Sequence, residues 1–448
     1  MSERLSLSAA VAPKHQEFII GHATLIQGPF LETISNGAVH VRENRIVAVG
    51  PTSTIKAKAP EAAFFDASSF IMIPGLFNAH THVAMGFFRG LGHCKENMIE
   101  TVLFPAEKSL SPDILQPLSY SYIYDGLRAG VTSFVDHYYF SFGVARAFET
   151  FGVRGWIGET VADLGGAFPG RESWNRAKEL IESSSFGPLI SHLIAPHAAD
   201  TVSVELLKEC ADYARENKIP LHMHLSQTPG ERERVKNRDH LSPVAKAAKA
   251  GALSESSLVV HLTSADSDDL KIVKDSGSTV GYCPTSTLFY DRLARIEEFY
   301  ELGIPLAIGS DCAASNDSAD ILSELKIAEL LARDHHVPND HLSPDHLLAM
   351  ATTIPAKVLG RQNDLGTIEP GKLADLVLLK RSLISEPLDQ PLANVIYSMG
   401  SRDVSHVMVN GNWALWNREI PDWDESQLLA DYREAVNDIR GRIQTKAR

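Results

Sequence analysis

Strand-like and helix-like segments alternate through the middle of this sequence, and this alternation restricts the possible folds more than any other feature. The strand-like segments are apolar and lie at residues 130–140, 153–160, 188–198, 219–227, 256–264, 278–286 and 304–312. Helical patterns separate most of them; in residues 204–217, Leu207, Cys210 and Ala214 fall on one helical face. With one further strand that ends at His80, the sequence predicts an α/β fold, a (β/α)8 TIM-type barrel.

The two ends of the chain share a different pattern, in which short strands alternate with turns. Residues 18–73 contain apolar runs of strand length, and Asn410-Gly411 near the other end is a strong signal for a two-residue hairpin turn. We therefore expect both ends to combine in one small β-sandwich domain beside the barrel. Residues 1–72 and 372–448 are expected to form this sandwich, the latter with a C-terminal helix, and residues 73–371 the metal-dependent catalytic barrel.

Composition and charge restrict the partners of this chain. Its 448 residues are 44% hydrophobic and 22% charged, as in a globular protein, and no apolar run approaches the roughly 20 residues of a membrane-spanning helix. The formal net charge of −14 repels nucleic acid and anionic membranes, so we expect a small-molecule partner, no nucleic acid and no membrane. The first fifteen residues are a poor match to a secretory signal, so we expect a cytoplasmic location. The four cysteines are widely spaced without a C-x-x-C pair, which argues against a disulfide framework and a thiolate zinc site.

Each predicted strand ends in a side chain that can ligate a metal, form a hydrogen bond or exchange a proton. In chain order these side chains are His80 with His82, Asp136 with His137, Glu159, His197, His224, His261, Tyr282 and Asp311. A single residue of this kind is usually structural. Eight strand ends that converge on one barrel mouth indicate a functional site, because the C-terminal ends of the strands hold the chemistry of such barrels.

His80 and His82 are the first members of a predicted metal site. On a strand they face the same way, about 7 Å apart along the chain, although a lone His-x-His is more often a polar strand end. A histidine of the fifth strand and Asp311 would complete a zinc-type site that leaves a position for water. His222 and His224 share a face of that strand; His224 lies nearer the mouth and is the expected ligand, with His222 deeper and structural.

The same residues predict how the water would be used. A bound divalent cation makes hydroxide available near neutral pH, Asp311 can take up the proton, and His261 can hydrogen-bond the hydroxide or orient the group under attack. The fourth strand contains no lysine that could be carboxylated to bridge two metals. A single metal ion is therefore expected.

The motifs HTH, HMHLS, VVHLT and GSDCAASND at these strand ends resemble those of the amidohydrolase superfamily. Within it, the sequence is similar to the metal-dependent deaminase and chlorohydrolase branch, which includes methylthioadenosine/S-adenosylhomocysteine deaminases and triazine hydrolases. The resemblance covers nearly the whole chain. It implies one divalent ion, zinc with iron as the alternative, held by His80, His82, His224 and Asp311, with His261 as a catalytic hydrogen-bonding residue.

The resemblance also implies a heterocyclic substrate and, from the family alone, a homo-oligomer. It makes His197 a substrate contact and Glu96 a contact of ribose hydroxyls, while Met98 stands where the family has a tryptophan. Two strand-end residues, His137 and Tyr282, are further expected substrate contacts; the family usually has a histidine at the position of Tyr282. The function predicted in this way is a metal-dependent hydrolase that uses a metal-bound hydroxide to deaminate a nucleoside, purine, pterin or triazine-like heterocycle, releasing ammonia.

Gln227 is the main departure from the family pattern, in which a glutamate at this position protonates the ring nitrogen of the heterocycle. In one interpretation Gln227 still hydrogen-bonds the substrate and belongs to the catalytic set with Asp311 and His261. In the other, the substrate does not need that proton, as in hydrolysis of a different C–N bond or a C–Cl bond. A non-catalytic barrel is the third alternative, and the complete set of metal ligands argues against it.

Overall fold

The structure, a computed structural model, describes residues 4–5, 12, 14–91, 98–183, 185–290, 294–338, 341 and 343–446. Its strands are β1 Arg4–Leu5, β2 Glu17–Gln27, β3 Glu32–Arg42, β4 Arg45–Pro51, β5 Ala63–Asp66, β6 Phe70–Pro74, β7 Leu76–Thr81, β8 Val131–Tyr138, β9 Arg154–Val161, β10 Ile190–His192, β11 Ala195–Pro196, β12 Leu221–Leu225, β13 Ser257–His261, β14 Thr279–Tyr282, β15 Leu306–Ile308, β16 Leu376–Lys380, β17 Val404–Val409 and β18 Asn412–Leu415.

The helices lie mainly between the strands of the middle of the chain. They are α1 Thr52–Lys58, α2 Phe104–Glu107, α3 Pro112–Arg128, α4 Ser141–Phe151, α5 Gly170–Glu182, α6 Val204–Asn217, α7 Pro229–Asp239, α8 Pro243–Lys249, α9 Ser267–Ser276, α10 Pro284–Phe289, α11 Ile296–Glu301, α12 Ile321–Asp334, α13 Pro344–Met350, α14 Thr353–Val358, α15 Pro391–Tyr397 and α16 Glu425–Lys446. A π-helical turn at Ile99–Leu103 precedes α2. Within the described residues, every helix is too short or too polar to cross a membrane.

The strands of the middle of the chain form two parallel sheets. One has the order β10-β9-β8-β7, with β11 also paired to β9, and the other has the order β12-β13-β14-β15. Every residue of β8 and β9 is buried, because a parallel strand between helices is covered on both faces. The predicted α/β class with parallel strands is confirmed.

Backbone hydrogen bonds connect the two parallel sheets at both edges. The amide of Asp311 donates to the carbonyl of His80 at 3.0 Å, which joins the chain after β15 to β7. At the other edge, His222 donates to Ile194 at 2.9 Å and His224 donates to His197 at 3.0 Å. These bonds bring the C-terminal ends of β7, β12 and β15 to one side of the molecule.

The predicted helix at 204–217 coincides with α6, and its local sequence explains its bounds. The hydroxyl of Ser203 accepts a hydrogen bond from the amide of Leu206, which satisfies one of the free N–H groups of the first turn. Leu207, Cys210 and Ala214 are buried, as the helical periodicity predicts. Helix α6 therefore packs its apolar face on the sheet that carries the strand ends.

Strands from both ends of the chain belong to one nine-stranded sheet, with the order β1-β5-β2-β6-β16-β17-β18 and with β3 and β4 added beyond β2. The predicted hairpin is confirmed: β17 and β18 flank Asn410 and Gly411, whose φ angles of 53° and 78° are those that a tight hairpin turn requires. Side chains connect this sheet to the parallel strands. The guanidinium of Arg154, at the start of β9, donates to both oxygens of Asp375 at 2.7 and 2.8 Å.

Candidate active site

Three imidazoles and one carboxylate meet where β7, β12 and β15 end. His80 and His82 each place Nε2 3.5 Å from Oδ1 of Asp311, and the Nε2 atoms of His82 and His224 are 3.2 Å apart. All four side chains are buried. His261, at the end of β13, places Nε2 4.0 Å from Oδ2 of Asp311.

Hydrogen bonds at the other ring nitrogens hold these imidazoles in position. Nδ1 of His82 donates to the carbonyl of His137, and Nδ1 of His224 donates to the carbonyl of His197 at 2.9 Å. A carbonyl oxygen can only accept, so these Nδ1 atoms carry the proton and the Nε2 lone pairs are directed toward one another. Nδ1 of His80 contacts Nε2 of His222 at 3.0 Å, which agrees with the deeper, supporting position predicted for His222.

The donor set fits a divalent metal ion. The ligand atoms of His80, His82 and Asp311 lie within 4.8 Å of one another, and so do those of His80, His224 and His261. Among the described residues, Nε2 of His80 and Nε2 of His261 are buried without a hydrogen-bond partner. A buried ring nitrogen of this kind is costly unless it has a ligand, and neutral imidazoles with a carboxylate are the ligands that zinc-type sites use.

The pKa values agree with this donor set. Burial lowers the pKa of His82 to about 3, with the neighbouring His80 adding to the effect, and burial lowers the pKa of His261 to about 4. Burial also holds the pKa of His224 well below its usual range. Burial acts to raise the pKa of Asp311, but the imidazoles around it, those of His80, His261 and His82, outweigh it and leave that pKa lowered. The site therefore combines unprotonated ring nitrogens with an ionised carboxylate.

Backbone strain occurs at three of the strand ends. His261, Asp311 and Ser226 have φ angles of 81°, 62° and 50°, in the left-handed region that residues other than glycine rarely adopt. Side-chain contacts compensate at Asp311, whose Oδ2 accepts a hydrogen bond of 2.6 Å from the hydroxyl of Ser286. Such strain is typical of sites where the backbone must turn to present a functional group.

A cavity of about 350 Å³ opens beside these ligands. Several of the residues predicted from the sequence line it, namely His82, His137, His197, His224, Gln227, His261 and Asp311. Nδ1 of His197 is 2.8 Å from the hydroxyl of Thr201, which orients that ring at the cavity wall. The structure therefore brings the expected catalytic and histidine substrate contacts into one space.

One expected substrate contact does not line the cavity. Tyr282 is 2% exposed, belongs to the hydrophobic core and is not among the described residues that line the cavity, so its predicted role as a contact is corrected. A strand alternates its side chains between two faces, and the sequence alone did not indicate which face Tyr282 would occupy. Glu96 lies outside the described residues. Met98, its neighbour, is buried.

The structure adds three carboxyl groups that the sequence did not point to, Asp200 among them. Glu107, at the end of α2, and Glu231, in the first turn of α7, both line the cavity. Glu231 follows a detectable signal, because Thr228-x-x-Glu231 has the form of a capping box after a strand. Glu107 follows no local signal, since the four-residue helix α2 reaches the cavity only through long-range packing.

Comparisons with known proteins agree with the motifs at the strand ends. The sequence model described as amidohydrolase family matches residues 71–414. The chain is 31% identical over 433 residues to the 5-methylthioadenosine/S-adenosylhomocysteine deaminase of Pyrococcus furiosus, a match that covers 93% of this chain and 100% of the relative.

Solved structures share the fold. The crystal structure of an adenosine deaminase from Xanthomonas campestris with bound zinc has a TM-score of 0.89 and 28% identity, and the match covers 98% of this chain and 100% of that one. An atrazine chlorohydrolase from Arthrobacter aurescens complexed with zinc has a TM-score of 0.85 at 22% identity, over 94% of this chain and 100% of that one, which is a likeness of fold. Because the family match spans both the strand ends and the ligand set, this chain belongs to the amidohydrolase family.

Proposed function

We propose that this protein is a metal-dependent hydrolase that deaminates a heterocycle and releases ammonia. The observation that carries the proposal is the convergence of His80, His82, His224 and Asp311 beside a cavity that also contains His261. The relatives support the reaction type, since the Pyrococcus furiosus protein is named a 5-methylthioadenosine/S-adenosylhomocysteine deaminase and the Xanthomonas campestris protein an adenosine deaminase.

His80, His82, His224 and Asp311 would hold one divalent ion. Zinc is the proposed ion, because the Xanthomonas campestris structure is described with bound zinc. When bound, such an ion supplies Lewis acidity and a water that loses its proton near neutral pH. Asp311 would accept that proton, because its carboxylate is ionised and belongs to the same site. Its Oδ1 lies 3.5 Å from Nε2 of His80 and of His82.

The other cavity residues bind and orient the substrate. His261, whose Nε2 has no hydrogen-bond partner among the described residues, orients the attacking oxygen or the group under attack. His137 and His197 line the wall and offer ring contacts to a flat heterocycle. Gln227 offers a neutral carboxamide, which donates or accepts a hydrogen bond without a change of charge.

The proposed architecture is a closed (β/α)8 barrel of residues 73–371 with a small β-sandwich domain from 1–72 and 372–448. The hydrogen bonds from Asp311 to His80 and from His224 to His197 support closure of the barrel. Pairing of β16 with β6 supports one domain from both ends of the chain. A cytoplasmic homo-oligomer that acts on small molecules completes the proposal, and light scattering of the purified protein measures its subunit number.

A screen for ammonia release tests the function. Metal-replete protein is incubated with 5-methylthioadenosine, S-adenosylhomocysteine, adenosine, guanine, a pterin and an aminotriazine. We expect ammonia from at least one of them, loss of activity after chelation, and recovery when Zn²⁺ is added back. His224→Ala should lose both bound metal and activity, while His240→Asn, at an exposed residue, should keep both.

Two results would contradict this function. Protein with about one divalent ion per chain that releases no ammonia from any of these compounds is not a deaminase of this class. Full activity after exhaustive chelation would show that the ligand set plays no part in the reaction.

A further inference from the structure

Three histidine rings form a hydrogen-bonded row that begins at the candidate metal site and ends at the cavity wall. Nδ1 of His80 lies 3.0 Å from Nε2 of His222, and Nδ1 of His222 lies 3.2 Å from Nδ1 of His137. His222 therefore uses both of its ring nitrogens, and all three rings are buried. The two ends of this histidine row are Nε2 of His80 and Nε2 of His137, which are buried without a hydrogen-bond partner among the described residues.

Proton counting limits what the two ends of the histidine row can do. A neutral imidazole carries one N–H and one lone pair, and a hydrogen bond between two rings uses one N–H and one lone pair. Two such bonds join the three rings, so one N–H and one lone pair remain. One end of the row is therefore a donor and the other an acceptor, and a partner at either end decides the direction.

The candidate metal site decides that direction. A metal ion binds the lone pair of a neutral imidazole, and the hydrogen bond at the other nitrogen fixes the tautomer. Nε2 of His80 belongs to the proposed ligand set, so His80 carries its proton on Nδ1 and donates to Nε2 of His222. Because that nitrogen accepts, His222 carries its proton on Nδ1 and donates to Nδ1 of His137. His137 is then left with its proton on Nε2.

His137 directs this N–H away from His222 and toward the cavity. The two nitrogens of an imidazole point in nearly opposite directions, and Nδ1 of His137 faces His222, which precedes His224 on β12. His137 lines the cavity, and its ring centroid lies 4.9 Å from that of His224. A buried N–H without an acceptor is destabilising, so we expect a molecule in the cavity to supply the acceptor.

We propose that His137 is a hydrogen-bond donor to the substrate, with its polarity fixed by metal binding at His80 through His222, a role that rests on the proposed deaminase function. A heterocycle for this site places an acceptor at His137, either a ring nitrogen with a lone pair or an oxygen. An amino group or a ring N–H at the same position is disfavoured, because two donors would face each other. Without a ligand on His80 the histidine row can run in either direction, and this selection is lost.

Nitrogen NMR of the folded protein tests the direction of the histidine row without any activity. Protein with isotope-labelled histidine is loaded with Zn²⁺, and the spectrum of His137→Asn identifies the signals of the His137 ring. We expect a protonated Nε2 and an unprotonated Nδ1 in His137, and a protonated Nδ1 in His80 and His222. A proton on Nδ1 of His137 in the zinc-loaded protein, alone or together with one on Nε2, overturns the proposal.

Two variants separate the donor from the packing of the ring, with 5-methylthioadenosine and adenosine as probes. In His137→Asn, the carboxamide oxygen reaches the place of Nδ1 and still accepts from His222, but nothing occupies the place of Nε2. In His137→Gln, the longer side chain brings an N–H to the place of Nε2. KM should rise about three- to tenfold in His137→Asn and stay within about twofold of the parent in His137→Gln. Both variants should keep about one zinc ion per chain.

The results separate this inference from the proposed function. An unchanged KM in His137→Asn overturns the inference, and so does an equal rise in both variants, because the N–H would then not be the cause. If the zinc-loaded protein releases no ammonia from any compound of the screen, the proposed function fails, and NMR still decides the direction of the histidine row. If ammonia is released while Nδ1 of His137 carries the proton, only the inference fails.

Discussion

Gln227 stands in the cavity wall where the family has a glutamate, and its carboxamide offers hydrogen bonds without an acidic proton. Its backbone amide is fixed by Glu231 at 2.7 Å, and its carbonyl accepts a hydrogen bond from Thr263. The side chain lines the cavity and forms no hydrogen bond to a described residue. Its carboxamide is therefore available to a substrate.

This availability leads to a prediction for Gln227→Leu. Loss of the carboxamide removes one hydrogen bond to the substrate, and a hydrogen bond contributes about 0.5–1.5 kcal/mol, so KM should rise about three- to tenfold. The Tm and the metal content should stay unchanged, because the folded protein loses no described contact of this side chain. Steady-state kinetics and thermal unfolding measure both effects, and an unchanged KM would show that Gln227 does not contact the substrate.

At the scale of the element, the turn between β12 and α7 positions this region of the site. Ser226 adopts a φ angle of 50°, and the carboxylate of Glu231 accepts the amides of Ser226 and Gln227. The hydroxyl of Thr228 in turn accepts the amide of Glu231 at 3.0 Å. These reciprocal bonds begin helix α7 and fix the exit of strand β12, which carries His224.

Glu231→Gln should weaken this turn. The carboxamide has one acceptor oxygen, so its NH₂ group would face a buried backbone N–H, and an unsatisfied buried group costs about 1–3 kcal/mol. We expect a loss of unfolding free energy of this size, together with a lower kcat/KM because the neighbouring Gln227 shifts. The matched control is Glu233→Gln, an exposed residue of the same helix, which should stay within about 0.5 kcal/mol of the parent. Equal effects of the two substitutions in urea unfolding would contradict the role of Glu231.

At the scale of the whole molecule, one buried ion pair connects the nine-stranded sheet to the parallel strands. Arg154 and Asp375 have side chains that are 2% and 6% exposed, and they form two hydrogen bonds. The same carboxylate accepts the amide of Asn410 at 2.8 Å. The pair therefore joins the start of β9, the segment before β16 and the turn between β17 and β18.

Asp375→Asn should destabilise the protein strongly. Removing one partner of a buried pair leaves the other charge uncompensated, which costs about 3–5 kcal/mol. Arg171→Gln is the control, because Arg171 pairs with Glu209 at an exposed surface, where such pairs contribute about 0–1 kcal/mol. Chemical unfolding measures both values. A cost for Asp375→Asn as small as that of the control would show that the ion pair does not connect the two sheets.

Local spacing in the sequence was enough to predict the parallel α/β class and to propose the metal-ligand set. His80 and His82 share a strand face, while His224 and Asp311 end strands whose apolar runs are plain in the sequence. The C-terminal ends of parallel strands meet at one edge, so strand ends separated by more than 200 residues can be combined from the sequence pattern alone. The Asn410-Gly411 turn was predictable for the same reason, since its backbone requirement is local.

Long-range packing, by contrast, decides which other side chains reach the cavity, and it is visible only in the folded molecule. Glu107 comes from a four-residue helix and lies beside Tyr138 of β8, and no local pattern encodes that placement. Tyr282 was misplaced because a strand end can direct its last side chain to either face. The pairing of Arg154 with Asp375 spans 221 residues. Periodicity determines what a segment becomes, whereas these contacts depend on how distant segments pack together.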